Sequence, residues 1–386
     1  MESTRLNVVF LNCTTNYGRS FAAANYKTEM LAKGLEKQGD FCTLHSGIHE
    51  SPDIVQREDY IKPSVGRIIQ YPYKGSRLTD FFRNMGKLYA DLKNLRSDTA
   101  KNILIMNSPF VHIHFLYVIM GNCLGYHVSN LHQEWLPTLK NVNAFRRFSA
   151  SIISRFLGLG TDSFLPISEY IIAKTKHFNK PYLKTPVLSE YSEHPGSGFD
   201  RIGFTYCATV EYVRVLNVLL DGYKEYSQKV DNPQPLSIIL SGNINKIEKL
   251  KEQIAADGLS SNIKILTRIP YNVLRDIYKS SSALILPLDP GNIQDHARFS
   301  QKIAEYLSTG TPMITTLVGE IPHYFTGKKD AVITDFSAEG FADAFKWIHN
   351  NPEEARNIGE NGFCLGKQEF DTYSFGKKLH DFFCRV

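Results

Sequence analysis

The sequence lacks the features that mark several specialised classes of protein. Its 386 residues contain six cysteines, which include no CxxC pair and no spacing typical of metal ligands. The cysteines are Cys13, Cys42, Cys123, Cys207, Cys364 and Cys384. Isolated thiols of this kind predict a reducing compartment rather than a disulfide framework. There is no internal repeat and no low-complexity tract, and 42% hydrophobic with 22% charged residues is typical of a globular protein.

Apolar segments suited to a membrane span are missing as well. The first five residues lead directly into the strand-like Leu6–Leu11, so the pattern of a secretion signal is absent. The uncharged run Phe110–Val128 contains three histidines and an asparagine, which makes insertion into a bilayer costly. We predict a buried helix followed by a strand in this run. We therefore expect the protein in the cytoplasm.

Acidic residues are too few to balance the basic ones in the first half of the chain. Residues 1–200 carry 23 Lys and Arg against 17 Asp and Glu, whereas the remaining residues carry 21 against 22. A basic excess of this size fits contact with an anionic surface, and it fits an ordinary solvated face equally well. The basic residues are not interleaved with aromatic residues on a recognisable module, so we expect no nucleic-acid partner.

One segment of the basic half, Asn143–Leu157, has the pattern of an amphipathic helix. Its apolar stripe consists of Phe145, Phe148, Ile152 and Phe156, and Arg146, Arg147 and Arg155 lie beside it. The pattern is typical of a helix on a protein core and also of a helix on a membrane surface. We hypothesise peripheral contact with an anionic membrane, at the inner face of the cytoplasmic membrane.

Strand-like and helix-like segments alternate along the chain. In the first half the strand-like segments are Leu6–Leu11, Phe41–Leu44, Val65–Gln70, Asn102–Met106, Tyr126–Leu131 and Ser163–Ile167. In the second half they are Phe204–Ala208, Leu236–Ser241, Ile263–Leu266, Ala283–Leu286 and Met313–Thr316. This alternation predicts an α/β fold with two doubly wound parallel sheets. Two such domains predict a cleft between them, with ligands outside the carboxyl ends of the strands.

The domain boundary is predicted where the alternation breaks. The stretch between Pro186 and Arg201 is rich in turn-forming residues and poor in apolar ones, which is typical of a linker. We therefore predict an N-terminal domain of residues 1–188, a linker of residues 189–202 and a second domain of residues 203–366. Residues 367–386 are predicted to form a C-terminal helix that packs back toward the N-terminal domain.

The segment Arg298–Ile314 reads as a polar turn, an amphipathic helix, a glycine C-cap and a buried strand. Free backbone N–H groups at a helix start favour an anion, and two cations beside them, Arg298 and Lys302, favour a polyanion such as a diphosphate. An ordinary surface helix of an α/β domain has the same pattern.

With its neighbours, this segment resembles the donor half of retaining glycosyltransferases with the two-Rossmann GT-B fold, in particular glycosyltransferase family 4. The resemblance rests on Phe204–Thr209, Ala283–Pro287, Glu305–Leu307, Gly310–Pro312 and Val318–Pro322. It covers most of the chain. It implies that the first domain binds the acceptor and that the second binds a nucleotide-sugar donor.

The resemblance also implies roles for individual donor-site residues. A glutamate at the position of Glu305 binds the ribose hydroxyls in the family, and the backbone amides of Phe299, Ser300 and Gln301 match the helix start that binds the diphosphate. Two further residues fall in regions that contact the donor. These are Arg268, after a strand, and Glu320, where an N-terminal helix cap is the alternative.

Two positions depart from the family pattern. The first glutamate of the family's Glu-x7-Glu motif falls on Ala297, and the two basic residues of its Arg-x4-Lys pair fall on Thr209 and Arg214. We hypothesise that Arg298 and Lys302 replace the missing charge.

The missing glutamate leaves the sugar hydroxyls without an assigned partner, for which Asp295 and His296 are candidates. We expect electrostatic stabilisation of the departing diphosphate by Arg214, Lys302, Arg298 and the backbone amides near Ser300 to supply most of the catalysis.

Acceptor-side candidates lie at the ends of two predicted strands of the first domain. Tyr17, Gly18 and Arg19 form a loop in the position where GT-B acceptor domains bring a glycine-containing loop against the donor phosphates. An ordinary βα turn would have the same sequence. The strand ending at His132 resembles the family's strand that ends in histidine, which implies contact of His132 with the donor sugar or the acceptor. Glu134 is then placed either to orient His132 or to steer the acceptor.

The resemblance implies a retaining transferase that moves a sugar from a nucleotide-diphosphate donor to a glycan or lipid-linked glycan in cell-surface polysaccharide biosynthesis. A UDP-sugar is the favoured donor and a GDP-sugar the alternative. We expect no metal and no other cofactor, because helix starts and basic side chains neutralise the diphosphate in such enzymes. Two other functions remain open. They are a nucleotide-sugar 2-epimerase of the same fold and a non-catalytic sugar-nucleotide-binding subunit, which Ala297 and Thr209 would favour.

Overall fold

The computed structural model describes residues 4–13, 23–51, 66–72, 77–107, 110–138, 143–191 and 201–386. The chain divides into two compact units. The first comprises Met1–Glu190, Ala297–Gln301 and Phe370–Val386, and the second comprises Tyr191–His296 and Lys302–Glu369.

The first unit contains a six-stranded parallel sheet. Its strands are β1 (Leu6–Leu11), β2 (Phe41–Ser51), β3 (Arg67–Pro72), β4 (Lys101–Met106), β5 (His127–His132) and β6 (Ser163–Pro166). They lie in the order β3-β2-β1-β4-β5-β6. The helices between them are α1 (Ala23–Glu36), α2 (Arg77–Leu95), α3 (Val111–Cys123), α4 (Ala144–Phe156) and α5 (Glu169–Thr175). Every residue of β1 is buried because helices cover both faces of the sheet.

The second unit repeats the same strand order. Its strands are β7 (Phe204–Thr209), β8 (Leu236–Ser241), β9 (Ile263–Thr267), β10 (Ala283–Leu286), β11 (Met313–Thr316) and β12 (Val332–Thr334). They lie in the order β12-β11-β10-β7-β8-β9. Its helices are α6 (Val213–Lys229), α7 (Ile244–Ala256), α8 (Tyr271–Ser280), α9 (Ile293–Ala297), α10 (Gln301–Leu307), α11 (Ile321–Tyr324), α12 (Ala338–Asn350) and α13 (Pro352–Glu369).

These two sheets confirm the predicted α/β fold with two doubly wound parallel sheets. The uncharged run Phe110–Val128 forms α3 and the start of β5, as predicted. The short strand β12 was not predicted, because three residues carry too little pattern to be recognised. In the described part of the chain, no helix combines the length and the apolar character needed to cross a membrane.

The last helix, α14 (Thr372–Arg385), belongs to the first unit and packs on α1. Two glycines allow the close approach, because a Cβ on Gly34 would lie 2.8 Å from the Cα of Gly376. Polar contacts fix the other end of the helix. His380 Nδ1 lies 2.8 Å from a carboxylate oxygen of Asp40, and Lys101 Nζ donates to the carbonyl oxygen of Phe383 over 2.8 Å.

Each sheet reverses its strand order once, between β1 and β4 in the first unit and between β7 and β10 in the second. Ligands of doubly wound sheets bind outside the carboxyl ends of the strands at such a reversal. We therefore expect ligand-binding residues directly after β7 and β10, and after the strands around β4.

Candidate functional site

In the second unit, two oppositely charged side chains meet where the strand order reverses. Arg214 lies in the first turn of α6, which follows β7, and Asp289 follows β10. Nη1 of Arg214 is 2.9 Å from Oδ2 of Asp289, and the side chains are 65% and 9% exposed. The guanidinium group also lies 5.4 Å from the centre of the Phe336 ring. Arg214 is therefore held at the ligand-binding edge, but its charge is shared with Asp289.

A network of hydrogen bonds fixes the loop that carries Asp289. Oδ1 of Asp289 accepts from the backbone N–H of Gly291 over 2.8 Å, and the backbone N–H of Asp289 donates to Oδ2 of Asp295 over 3.1 Å. Nε2 of His296 donates to the carbonyl oxygen of Pro290 over 2.9 Å. Asp295 and His296 thus hold this loop. Their predicted contact with the donor sugar stays a prediction.

A glycine next to this loop is required by its surroundings. Gly319 has a φ of +60°, and a Cβ there would lie 2.3 Å from the carbonyl oxygen of Asp295. Glu320 follows it and is buried. It occupies the N-cap position of α11, but its side chain makes no capping hydrogen bond. Capping of α11 therefore does not explain why the side chain of Glu320 is buried.

The helix α10 places Glu305 and Lys302 in the second unit. Burial raises the pKa of Glu305 to about 7, while the charges of Lys302 and Arg275 act in the opposite direction. Lys302 makes no ion pair within the described part of the chain. Its charge also opposes the increase that burial causes in the pKa of Cys207, a residue of β7. Lys302 therefore lies near the strand that borders the reversal of the sheet.

Arg275, on α8, was not predicted as a site residue. The charge of Arg275, which is partly exposed, lowers the pKa of the buried Glu305, so the guanidinium group acts electrostatically on that carboxyl group. They are separated by 30 positions in the sequence, and only the packing of α8 beside α10 brings them together. A periodicity argument on either helix alone gives no sign of this pair.

α10 begins at Gln301, the last of the three residues whose backbone amides were predicted to bind the diphosphate, and Phe299 and Ser300 precede it. The preceding residues are held by contacts within the first unit. The hydroxyl of Ser168 donates to the carbonyl oxygen of Ala297 over 2.7 Å, and Nε2 of Gln301 donates to that of Leu188 over 2.6 Å. Arg298 and Ser300 are partly exposed.

Phe299 is buried, with its ring centre 5.6 Å from that of Phe370. Ala297 is also buried. Its methyl group cannot replace the polar group of the family's first glutamate.

The structure does not bring Arg268 to the reversal of the second sheet. Arg268 follows the edge strand β9, whereas Thr209 ends β7. These two strands are separated by β8, and neighbouring strands lie about 4.8 Å apart. Arg268 is exposed and has a φ of +56°. Thr209 is partly exposed at the reversal itself.

In the first unit, His132 ends β5 and is buried beside Phe164, with 5.7 Å between ring centres. Burial, with a smaller contribution from the charge of His114, lowers the pKa of His132 to about 3. The imidazole is therefore neutral at pH 7. Glu134 is exposed. Tyr17, Gly18 and Arg19 lie outside the described residues.

Comparison with known proteins identifies the second unit. The family model for glycosyl transferases group 1 matches residues 197–363. D-rhamnosyltransferase WbpZ of Pseudomonas aeruginosa is 24% identical over 192 residues, which are 49% of this chain and 46% of the relative. The match thus spans about half the length of that curated protein.

Solved structures resemble the whole chain. Sucrose-phosphate synthase from Thermosynechococcus elongatus has a TM-score of 0.70 at 12% identity, with 99% of this chain and 98% of that chain covered. Anabaena HepE in complex with UDP has a TM-score of 0.69 at 11% identity, with 98% and 100% covered. Residues 197–363 are therefore a domain of the glycosyl transferases group 1 family, and the chain has the GT-B fold of glycosyltransferase enzymes.

Proposed function

We propose that the chain transfers a sugar from a nucleotide-diphosphate donor to a glycan acceptor, with a UDP-sugar as the favoured donor and a GDP-sugar as the alternative. The buried carboxyl group of Glu305, with Lys302 beside it, carries this proposal. An ionised carboxylate accepts hydrogen bonds from two ribose hydroxyls at once. Arg214, Lys302 and Arg298 then stabilise the charge that develops on the departing diphosphate.

The resemblance to family 4 supports transfer with retention, and no side chain is assigned as a nucleophile. HepE, one of the proteins with the same fold, was crystallised with UDP and with UDP-glucose. That observation supports UDP-sugars as the first donors to test. The reaction as proposed uses no bound metal, because the helix start and the basic side chains take that role.

The experiment is a thermal-shift screen with UDP-glucose, GDP-mannose and ATP, followed by product analysis. Selective binding to the folded state raises the melting temperature. We expect UDP-glucose to raise it in the parent protein and to have a much smaller effect on Glu305→Gln. A Glu248→Gln variant is the control, since Glu248 is a surface residue of α7 paired with Lys251. Equal responses of the parent and Glu305→Gln would contradict the ribose-binding role.

Product analysis separates the two remaining alternatives. An epimerase would convert the UDP-sugar to a different UDP-sugar in the absence of any acceptor, which chromatography detects. A non-catalytic subunit would bind UDP without transfer and without slow hydrolysis of the donor. Either result would replace the proposed transfer.

We also propose that the acceptor is carried on a membrane, in a role for cell-surface polysaccharide, and that α4 contacts the lipid from the cytoplasmic side. Three aromatic side chains of α4 face solvent instead of the core. Phe145, Phe148 and Phe156 are 55%, 61% and 48% exposed. Arg147 and Arg155 are exposed beside them. Aromatic rings and arginines on one exposed helix face suit the interface of an anionic bilayer.

Co-sedimentation with vesicles tests this attachment. We expect binding to vesicles that contain phosphatidylglycerol, and loss of that binding both in Phe145→Ser/Phe148→Ser and at high salt. Leu317→Ser is the matched control, because Leu317 is 59% exposed in the second unit. Binding that survives the double substitution would exclude α4 as the lipid contact.

A further inference from the structure

A cysteine, a histidine and an aspartate form a hydrogen-bonded row at the amino ends of the strands in the first unit. Cys384 and His380 lie one turn apart on α14, and Asp40 directly precedes β2. Sγ of Cys384 is 3.5 Å from Nε2 of His380, and Nδ1 of His380 is 2.8 Å from Oδ2 of Asp40. The imidazole therefore joins the thiol to the carboxylate through its two ring nitrogens.

The carboxylate decides which nitrogen of the ring carries the proton. The side chain of Asp40 is fully buried, and its Oδ1 accepts from the backbone N–H of Leu6 over 2.9 Å. A carboxylate only accepts hydrogen bonds, so Nδ1 of His380 is the donor to Oδ2. The neutral ring then has no proton on Nε2. This nitrogen therefore faces the thiol of Cys384 as a base.

The thiol is open to solvent, whereas the ring beside it is held in place. The side chain of His380 is only 10% exposed, and Cys384 is an exposed residue. The one other hydrogen-bond partner of Sγ in the described part of the chain is the carbonyl oxygen of Thr4, 3.6 Å away. A small reagent can therefore reach the sulfur while Asp40 keeps the imidazole oriented.

The surroundings of the thiol keep it protonated at pH 7. Burial and the charge of Asp40 raise the pKa of Cys384 from its ordinary value of 9.0, with a further increase from Asp381, while Lys101 acts in the opposite direction. The thiolate is the form that attacks a disulfide. The proton must therefore leave as the new bond forms, and an adjacent general base activates a cysteine in this way.

Two further cysteines are exposed but lack such a base. Cys123 ends α3 and Cys364 lies on α13. Neither sulfur has a hydrogen-bond partner among the residues that the structure describes. Exposure alone would give all three thiols a similar reactivity toward a small reagent. The contact with His380 is what distinguishes Cys384.

We propose that Cys384 is a site of modification by small disulfides, with His380 as the general base and Asp40 as a positioning residue. Nε2 of His380 takes the thiol proton, Sγ attacks one sulfur of the reagent, and the S–S bond of the reagent breaks. The departing thiolate takes the proton back from His380. Cys384 is thus oxidised to a mixed disulfide, and the other half of the reagent is reduced to a free thiol. Asp40 stabilises the imidazolium that forms in between.

Reaction of the folded parent protein with glutathione disulfide at pH 7 tests the site. Samples are quenched with acid at intervals, and mass spectrometry of peptides gives the modified fraction of each cysteine. We expect Cys384 to react at least about tenfold faster than Cys123 and Cys364, since a general base contributes about 10²–10⁴-fold. The two exposed cysteines are controls within the same molecule. A rate for Cys384 no higher than theirs would overturn the proposal.

Two substitutions separate base catalysis from simple exposure of the thiol. His380→Gln removes the base. Asp40→Asn presents an amide N–H to Nδ1 of His380, which moves the ring proton to Nε2. In both variants we expect Cys384 to react as slowly as Cys123. His323→Gln, which changes an exposed histidine of α11, is the control and should leave the rate unchanged.

The melting temperature of each variant shows whether it is folded. Rapid modification of Cys384 that persists in a folded variant of either kind would exclude the role given to that residue, and persistence in both would overturn the site. The comparison of the three cysteines in the parent protein needs no substitution, so it decides the question even where a variant fails to fold. The proposed glycosyl transfer is independent of every one of these results.

Discussion

Arg214 and Asp289 form an ion pair of 2.9 Å across the point where the second sheet reverses its strand order. The resemblance assigns two basic residues to the donor diphosphate, and their positions fall on Thr209 and Arg214. Of these two, Arg214 alone is basic. A carboxylate beside it reduces the attraction for an anion. The site therefore either binds its donor less tightly than two unpaired cations would, or gains the missing attraction from other cations.

The substitution Asp289→Asn tests how far this pairing limits donor binding. Asparagine keeps an oxygen that accepts from the backbone of Gly291, so the loop is preserved. Two unit charges about 4 Å apart interact by about 1 kcal/mol in water, so we expect UDP to bind about fivefold more tightly. Isothermal titration at two salt concentrations measures the change, which should shrink at high salt. Weaker binding would mean that Asp289 itself contacts the ligand favourably.

Lys302 and Arg298 are predicted to supply the missing charge. We expect Lys302→Ala to weaken UDP binding by about tenfold, the effect of losing one charge-assisted hydrogen bond of about 1.5 kcal/mol. Arg298→Ala should act in the same direction. Lys251→Ala is the control, because Lys251 lies on the surface of α7 and pairs with Glu248. Unchanged titration curves for both variants would show that the charge is not replaced at these positions.

The sequence was sufficient to locate eleven of the twelve strands but not for the details of the site. β1, β8, β10 and β11 begin and end as predicted, because uninterrupted apolar runs between turn residues leave little choice. The start of α10 at Gln301 lies within the predicted set of residues, but the hydrogen bonds that Ala297 and Gln301 make to distant residues have no trace in the local pattern. Arg275 was missed for the same reason.

The raised pKa of Glu305 predicts a pH dependence of donor binding. Binding of the ribose needs the carboxylate, so the affinity for UDP should fall as the pH is lowered through about 7. For Glu305→Gln we expect a weak affinity that varies little across this range, so that the two proteins converge at low pH. Titration calorimetry between pH 8 and pH 6 checks this. Parallel curves for the two proteins would exclude Glu305 as the titrating group.

The same group should affect the stability of the free protein in the opposite direction. Between the ordinary glutamate pKa of 4.5 and about 7, the folded state holds a proton that the unfolded chain has released. Stability therefore rises as the pH falls through this window. Urea unfolding of the ligand-free protein at pH 8 and pH 6 measures the effect, and Glu305→Gln should show less of it. If the unfolding free energy changed with pH by the same amount in both proteins, the change would arise from titrating groups other than Glu305.

Metal removal should leave the proposed transfer unaffected. The charges of Lys302, Arg214 and the helix start replace a cation in the mechanism that we propose. In the described residues, no three His, Cys, Asp or Glu side chains are placed to share a metal ion. Transfer rates measured with and without EDTA should agree within error. A loss of activity in EDTA that Mg²⁺ or Mn²⁺ restores would require a metal in the mechanism.

Gly319 packs against the loop of the second unit that holds Asp289, and Gly319→Ala should damage both this packing and the proposed donor binding. An alanine at a φ of +60° costs about 1–2 kcal/mol of backbone strain. Its Cβ would also lie 2.3 Å from the carbonyl oxygen of Asp295, so the loop that holds Asp289 must move. We expect a loss of more than about 3 kcal/mol in unfolding free energy from strain and overpacking together. Gly258→Ala is the matched control, because Gly258 has a φ of +71° and a Cβ added there would meet nothing within 4 Å. Gly258→Ala should show the strain alone and keep its affinity for UDP, whereas Gly319→Ala should also lose affinity. Equal losses of unfolding free energy in both variants would mean that the contact with Asp295 does not matter.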